Sequence, residues 1–145
     1  MFIICIMVIV FIDQTVKHYI QSSMLPGMSF PVVQDIFSIT YIQNAGAAFG
    51  ILEDQRLFFI IVTMLVLICG AYFYPVLKKQ CCMLRFGMAL LLGGAAGNLI
   101  DRIRLGIVVD YFDFHIWPIF NIADIAIVSG VVIIIYHIFT KGLTE

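Results

Sequence analysis

Four apolar stretches, at about 1–20, 57–77, 83–103 and 119–139, alternate with polar or mixed segments along the chain. A helix rising 1.5 Å per residue crosses about 30 Å of hydrocarbon in roughly 20 residues, so each stretch is long enough to be a membrane span. The second stretch carries no charged side chain, whereas polar clusters mark the others: Asp13 and Lys17 in the first, Asn98, Asp101 and Arg102 in the third, Asn121 and Asp124 in the fourth. Segment 21–56 breaks the pattern. Its "MSFPVVQDIFSITYIQ" is rich in Val, Ile, Phe, Thr and Tyr and is punctuated by Pro31, which predicts short strands lying at the membrane interface. The following "NAGAAFGILEDQR" is rich in Gly and Ala and suits close approach to a ligand's backbone. No internal repeat or low-complexity tract divides the chain, so residues 1–145 are read as one integral membrane domain, all-α and polytopic, with four transmembrane helices.

Composition supports that reading. The chain is 63% hydrophobic and only 12% charged, with a mean hydropathy of +1.10. A soluble domain would need far more polar surface, so lipid is the expected solvent. A net charge of −1 leaves no basic patch for nucleic acid. Cys5, Cys69, Cys81 and Cys82 form no CxxC and no Cys/His cluster at zinc spacing, so neither a disulfide framework nor a structural metal is expected. The opening "MFIICIMVIVFI" lacks a basic leader and is followed by "DQTVKHYI" rather than a small-residue cleavage site, which predicts an uncleaved helix.

Charge also predicts orientation. Lys78, Lys79 and Arg85 lie in or beside loop 78–85 without an acidic residue, and Lys141 follows the fourth span. The positive-inside rule puts this loop and both termini in the cytoplasm, and the polar clusters near the outer face.

A carboxylate in hydrocarbon is costly, by roughly 2.5–3.5 kcal/mol on insertion scales, so Asp124 at the mouth of an apolar run calls for a partner and a task. Asn121 shares its helical face at i, i+3. Asp110 and Asp113 lie in the outer connection, where Tyr111 and Trp117 suit the aromatic belt and hold it at membrane level, so spacing permits Asp110 to return to Asp124. Two carboxylates a few ångströms apart cannot both ionise cheaply: one pKa rises, a proton is shared, and the pair can activate a water for peptide-bond hydrolysis. Such chemistry requires no metal and no serine or cysteine nucleophile, and no cofactor is expected.

Blander readings stand beside this one. Asp13 and Lys17, at i and i+4, read as an interfacial ion pair with Lys17 snorkelling outward. Gly93 and Gly97 form a small-xxx-small pair for helix packing. Asp110, Asp113 and His115 could form an oxygen-rich metal site, although hydrated interfacial residues explain them equally well. His18 and His137 read as interfacial. A proton conduit would place ionisable groups at several depths, and a scaffold would use its polar residues only to join helices.

Five motifs in order, "FIDQTVK", "QNAGAAFGIL", "GGAAGNLIDR", "GIVVDYFDF" and "PIFNIADIAI", resemble the bacterial lipoprotein signal peptidase family, signal peptidase II, over nearly the whole chain. The resemblance implies an aspartic endopeptidase that removes the signal peptide from prolipoproteins, cutting before a cysteine that carries diacylglyceryl. It implies that Asp110 and Asp124 are the catalytic dyad, that Asn44, Asn98, Arg102 and Asn121 line the site and hold the substrate backbone, and that Asp13 and Asp101 support it, with Lys17 paired to Asp13. It places a small extracytoplasmic β-strand cradle and a short surface helix within 21–56. Lipid-modified prolipoproteins and membrane lipids are the expected partners, of a monomer in the bacterial cytoplasmic membrane whose active site lies near the outer face.

Overall fold

The computed structural model describes residues 1–46 and 55–141. The elements follow as α1 (Phe2–Ser23), β1 (Ser29–Val33), β2 (Phe37–Asn44), α2 (Arg56–Tyr72), α3 (Tyr74–Leu77), α4 (Cys82–Arg104), β3 (Val108–Asp113) and α5 (Ile122–Lys141). Among the described residues, three helices, Phe2–Ser23, Cys82–Arg104 and Ile122–Thr140, are long and apolar enough to cross a membrane, and Arg56–Tyr72 is a shorter apolar helix.

The predicted second span is interrupted. α2 ends at Tyr72, and Pro75 lies in the first turn of α3. Proline has no N–H for the helical ladder and crowds the preceding turn, so 57–77 becomes a 17-residue helix followed by one further turn. The predicted fourth span also starts late, at Ile122 instead of 119, because Pro118 precedes a capping arrangement formed by Asn121 and Asp124.

α4 is the central helix, packed against α1, α2 and α5. Its glycines make this packing possible. A Cβ at Gly93 would meet Ile9 of α1, one at Gly97 would meet the Asp13 carboxylate, and one at Gly94 would overlap the Ala123 carbonyl of α5. The outward faces are apolar: Ile3, Ile4, Met7, Val8 and Phe11 of α1 are all exposed, as lipid solvent requires. The buried polar groups gather inside, where Asp13, Lys17, Asn98, Asp101, Asp110 and Asn121 are each 5% exposed or less.

The strands form one antiparallel sheet in the order β1-β2-β3. β1 and β2 lie within segment 21–56, where strands were expected, joined by a turn at Asp35 in the left-handed region, φ 58°. The third strand was not expected. Residues 108–113, read from sequence as a connection, pair with β2, with Asn44 opposite Val108 and Ile42 opposite Asp110. Gly106, φ 82°, makes the turn from α4 into β3. Ile20, Tyr41, Val109 and Tyr111 form an apolar cluster that seats the end of α1 against this sheet. The predicted short surface helix is absent from the described part of 21–56; the remainder, including most of "NAGAAFGILED", lies outside the described residues.

Candidate active site

Asp124 sits in the first turn of α5, held by its own helix start. Asn121 Oδ1 accepts the Asp124 N–H at 2.9 Å, and Asp124 Oδ2 accepts the Asn121 N–H at 3.1 Å. This reciprocal exchange is a capping box, and the helix dipole at this end favours a negative side chain. The other carboxylate oxygen, Oδ1, accepts the Asn98 side-chain amide of α4 at 2.7 Å.

Asp110 is delivered by β3. Asn44, the same-face diagonal neighbour on β2, donates to its Oδ2 at 2.8 Å, and Asn121 donates to its Oδ1 at 2.7 Å. Asn44 is itself oriented, since its Oδ1 accepts the Gly46 N–H at 2.9 Å. Burial pushes the Asp110 carboxyl up to about 7, the charge of Asp124 adds to the rise, and the two amide donors and Lys17 oppose it.

Asp110 and Asp124 line the same cavity of about 390 Å³, with Asn44, Asn98 and Arg102 among the other walls. Asp124 is half-buried there, whereas Asp110 is 2% exposed. Arg102 donates to the Gly46 carbonyl at 3.4 Å and stacks over Phe59, 4.7 Å from the ring centre. Trp117, Pro118 and Phe120 supply an apolar side that continues along α5 past Ile125 to Ser129.

Behind the carboxylates lies a second layer of charge. Lys17 Nζ contacts Asp13 Oδ2 at 3.0 Å and Asp101 Oδ2 at 2.8 Å. Asp13 Oδ1 accepts the Ala123 N–H at 3.0 Å, and Asp101 Oδ2 accepts the Val109 N–H at 3.2 Å. Asp13 thus fixes the backbone beside Asp124, and Asp101 fixes the backbone beside Asp110. The expected Asp13–Lys17 pair exists, but Lys17 is 1% exposed and does not snorkel. Two carboxylates and an amide oxygen satisfy its ammonium inside the bundle.

A family model described as signal peptidase (SPase) II matches residues 5–140. The chain belongs to the signal peptidase II family. Its members are aspartic-type endopeptidases. Proteins named lipoprotein signal peptidase from Halothermothrix orenii, Caldanaerobacter subterraneus and Clostridioides difficile are 42%, 43% and 41% identical to it. These alignments cover 95%, 98% and 98% of this chain and 94%, 98% and 97% of the relatives. Two solved bacterial membrane enzymes are similar in fold. One, at 36% identity, has a TM-score of 0.89 and covers 99% of this chain and 90% of its own. The other, at 37% identity, has a TM-score of 0.85 and covers 97% and 93%.

In this signal peptidase II chain, several sequence readings need correction. Asp113 points away from Asp110, because the two are an odd number of positions apart on β3. Its carboxylate accepts from Thr40 at 2.8 Å and contacts His115 Nδ1 at 3.3 Å, so Asp113 and His115 stand on the face opposite Asp110. Tyr111 is 1% exposed, not in an aromatic belt, and its hydroxyl accepts the Ile122 N–H at 3.3 Å. Trp117, by contrast, is 63% exposed, as an interfacial residue would be. His137 is fully buried beside Cys81 Sγ, 3.7 Å away, while His18 is exposed.

Sequence reasoning missed two contributors in this family member. Gln14 donates to Asp13 Oδ2 at 3.2 Å and Asp101 Oδ1 at 2.9 Å, bridging α1 and α4. Arg56 donates to the Arg102 and Ile103 carbonyls at 2.8 and 2.9 Å, closing the α4 C-terminus beneath Arg102. A polar Gln14 beside Asp13 in an apolar helix was a visible signal. Arg56 gave none, since its acceptors are backbone atoms distant in sequence.

Proposed function

We propose that Asp110 and Asp124 are the catalytic pair with which this signal peptidase removes the signal peptide from prolipoproteins, cutting before a lipid-modified cysteine. The observation that carries the reading is the meeting of a β3 carboxyl and an α5 carboxyl at one cavity, with Asp110 raised to about 7 by burial and by Asp124. A carboxyl that holds its proton near neutrality beside a second carboxylate is suited to share one proton with it. The ionised member takes a proton from water as the oxygen attacks the scissile carbonyl. The protonated member donates to that carbonyl oxygen, and a proton then passes to the leaving amine as the C–N bond breaks.

Asn98 and Asn121 hold the carboxylates in this reading. Asn121 is fully buried and acts through Asp110, whereas Asn44 and Arg102 present polar edges to the substrate backbone. The apolar side of the cavity along α5 favours a lipidated residue entering laterally, because acyl chains do not leave lipid cheaply. The short helices α2 and α3 together complete a fourth crossing. The basic loop 78–85 and both termini then face the cytoplasm, and the sheet and carboxyl pair lie at the outer boundary, where water is available.

Replacing Asp110 or Asp124 by Asn, with turnover of a lipidated prolipoprotein measured in detergent, tests the reading. Loss of at least about a thousandfold in kcat is expected for either variant with folding retained. Turnover close to the wild-type rate in either one removes it from the catalytic pair.

A further inference from the structure

Lys17 makes one contact more than charge balance asks for. Its ammonium lies between the carboxylates of Asp13 and Asp101, which already outnumber it. Its third donor goes to a neutral atom, Asn98 Oδ1, at 2.9 Å. That same oxygen accepts from Asn121 Nδ2 at 3.1 Å, and Asn98 Nδ2 reaches Asp124 Oδ1 at 2.7 Å.

An asparagine amide has an acceptor end and a donor end of nearly the same shape, and only its neighbours decide which points where. Turned over, Asn98 would press its NH2 group against the ammonium and its oxygen against the Asp124 carboxylate. Both contacts would be repulsive, and with Lys17 and Asn98 each 5% exposed or less, water does little to relieve the first of them. A charge-assisted donor is stronger than a neutral amide, so the ammonium dominates the choice. Asn121 alone would supply a weaker preference, since its amide is also engaged by Asp110 and the Val109 carbonyl.

We propose that Lys17 is a positioning residue for the peptidase reaction: by fixing the amide of Asn98, it determines that Asp124 meets a hydrogen-bond donor rather than a lone pair. The proposal rests on the reading of Asp110 and Asp124 as the catalytic pair. Lys17 does not line the cavity walls, and the hydrogen-bond path from its ammonium to Asp124 runs through Asn98. Loss of the ammonium frees Asn98 to turn and leaves Asp124 misdirected, while the substrate still binds. A merely structural lysine would lower stability whether or not Asn98 is present.

A double-mutant cycle separates these roles. Lys17→Met, Asn98→Ala and the double variant are assayed in detergent on a lipidated prolipoprotein, with thermal unfolding measured alongside. Each single change is expected to lower kcat by about tenfold or more with KM within about twofold, and the double variant to be no slower than the slower single. Losses in kcat that multiply, or an unchanged kcat in Lys17→Met, overturn the proposal. If Lys17→Met does not yield folded enzyme, Lys17→Arg takes its place. The guanidinium keeps a charge near Asp13 and Asp101 but is planar and cannot converge three donors on one point. Its loss in kcat should vanish when Asn98 is replaced, and persistence of the loss has the same adverse meaning. Asp124→Asn is the control: an inactive control with multiplying losses refutes the role of Lys17 alone, whereas an active control refutes the catalytic pair and this proposal with it.

Discussion

Asp110 has an amide donor on each carboxylate oxygen and still titrates near 7, so burial and the neighbouring charge of Asp124 outweigh the two donors. The folded chain therefore keeps a proton that the unfolded chain releases above its ordinary value of 3.8. Through that window the folded state binds more protons at Asp110 than the unfolded state does, so the contribution of Asp110 to stability falls as pH rises from about 4 to about 7. Thermal unfolding of the enzyme in detergent across this range should show the decline, and Asp110→Asn should remove most of it; an unchanged slope in the variant would contradict the assignment. Catalysis adds a second expectation, since kcat/KM should fall once the shared proton is lost, above about pH 7. Asp110 and Asp124 stood out in the sequence, because carboxylates are expensive beside an apolar run. Their partners were less so. Lys17 reads locally as the i+4 neighbour of Asp13, and nothing within one helix reveals that Asp101 and Asn98 complete its shell from α4.

The elements that carry the two carboxyls are brought together by close helix packing. A methyl group at Gly94 would overlap the Ala123 carbonyl and crowd Ile127, both part of α5 and both rigid, so the helix bearing Asp124 would have to shift. Gly94→Ala should destabilise the enzyme by roughly 1–3 kcal/mol and reduce turnover, as seen by thermal unfolding and activity. Gly93→Ala, whose added methyl has side-chain atoms of Ile9 as its three nearest neighbours at 3.0–3.1 Å, should be milder in both. Equal effects at the two positions would argue against backbone contact as the cause. Helix existence was legible from apolar length, and the strands β1 and β2 from their β-branched and aromatic content. β3 was missed although "VVDYFD" has the same β-branched and aromatic content, because Asp110 and Asp113 interrupt so short a run and its partner β2 is far away in the chain. The start of α5 could have been found: Asn121 and Asp124 are spaced as a capping box ahead of an apolar run, and Pro118 bars an earlier start. The break at Pro75 was visible too, but overall hydropathy spoke for one continuous span.

In the whole molecule the polar interior collects at one end of the helices, where the C-termini of α1 and α4 meet the N-terminus of α5 and the sheet covers them. The basic loop lies at the other end, beside the exposed Cys82. If that end is cytoplasmic, a variant retaining Cys82 alone, with Cys5, Cys69 and Cys81 replaced by Ala, should react with a membrane-impermeant thiol reagent in inside-out vesicles and not in intact spheroplasts. The reverse pattern would invert the topology and remove the carboxyl pair from the outer face. At the centre of the proposed mechanism, Asp110 and Asp124 act together on one water and one peptide bond. The most direct measurement is a structure of the enzyme with a peptide-like inhibitor that carries a hydroxyl in place of the scissile carbonyl. A carboxyl oxygen from each of Asp110 and Asp124 is expected within about 3 Å of that hydroxyl, and an inhibitor seated elsewhere, or bound with only one of the two carboxyls in reach, would contradict the pair.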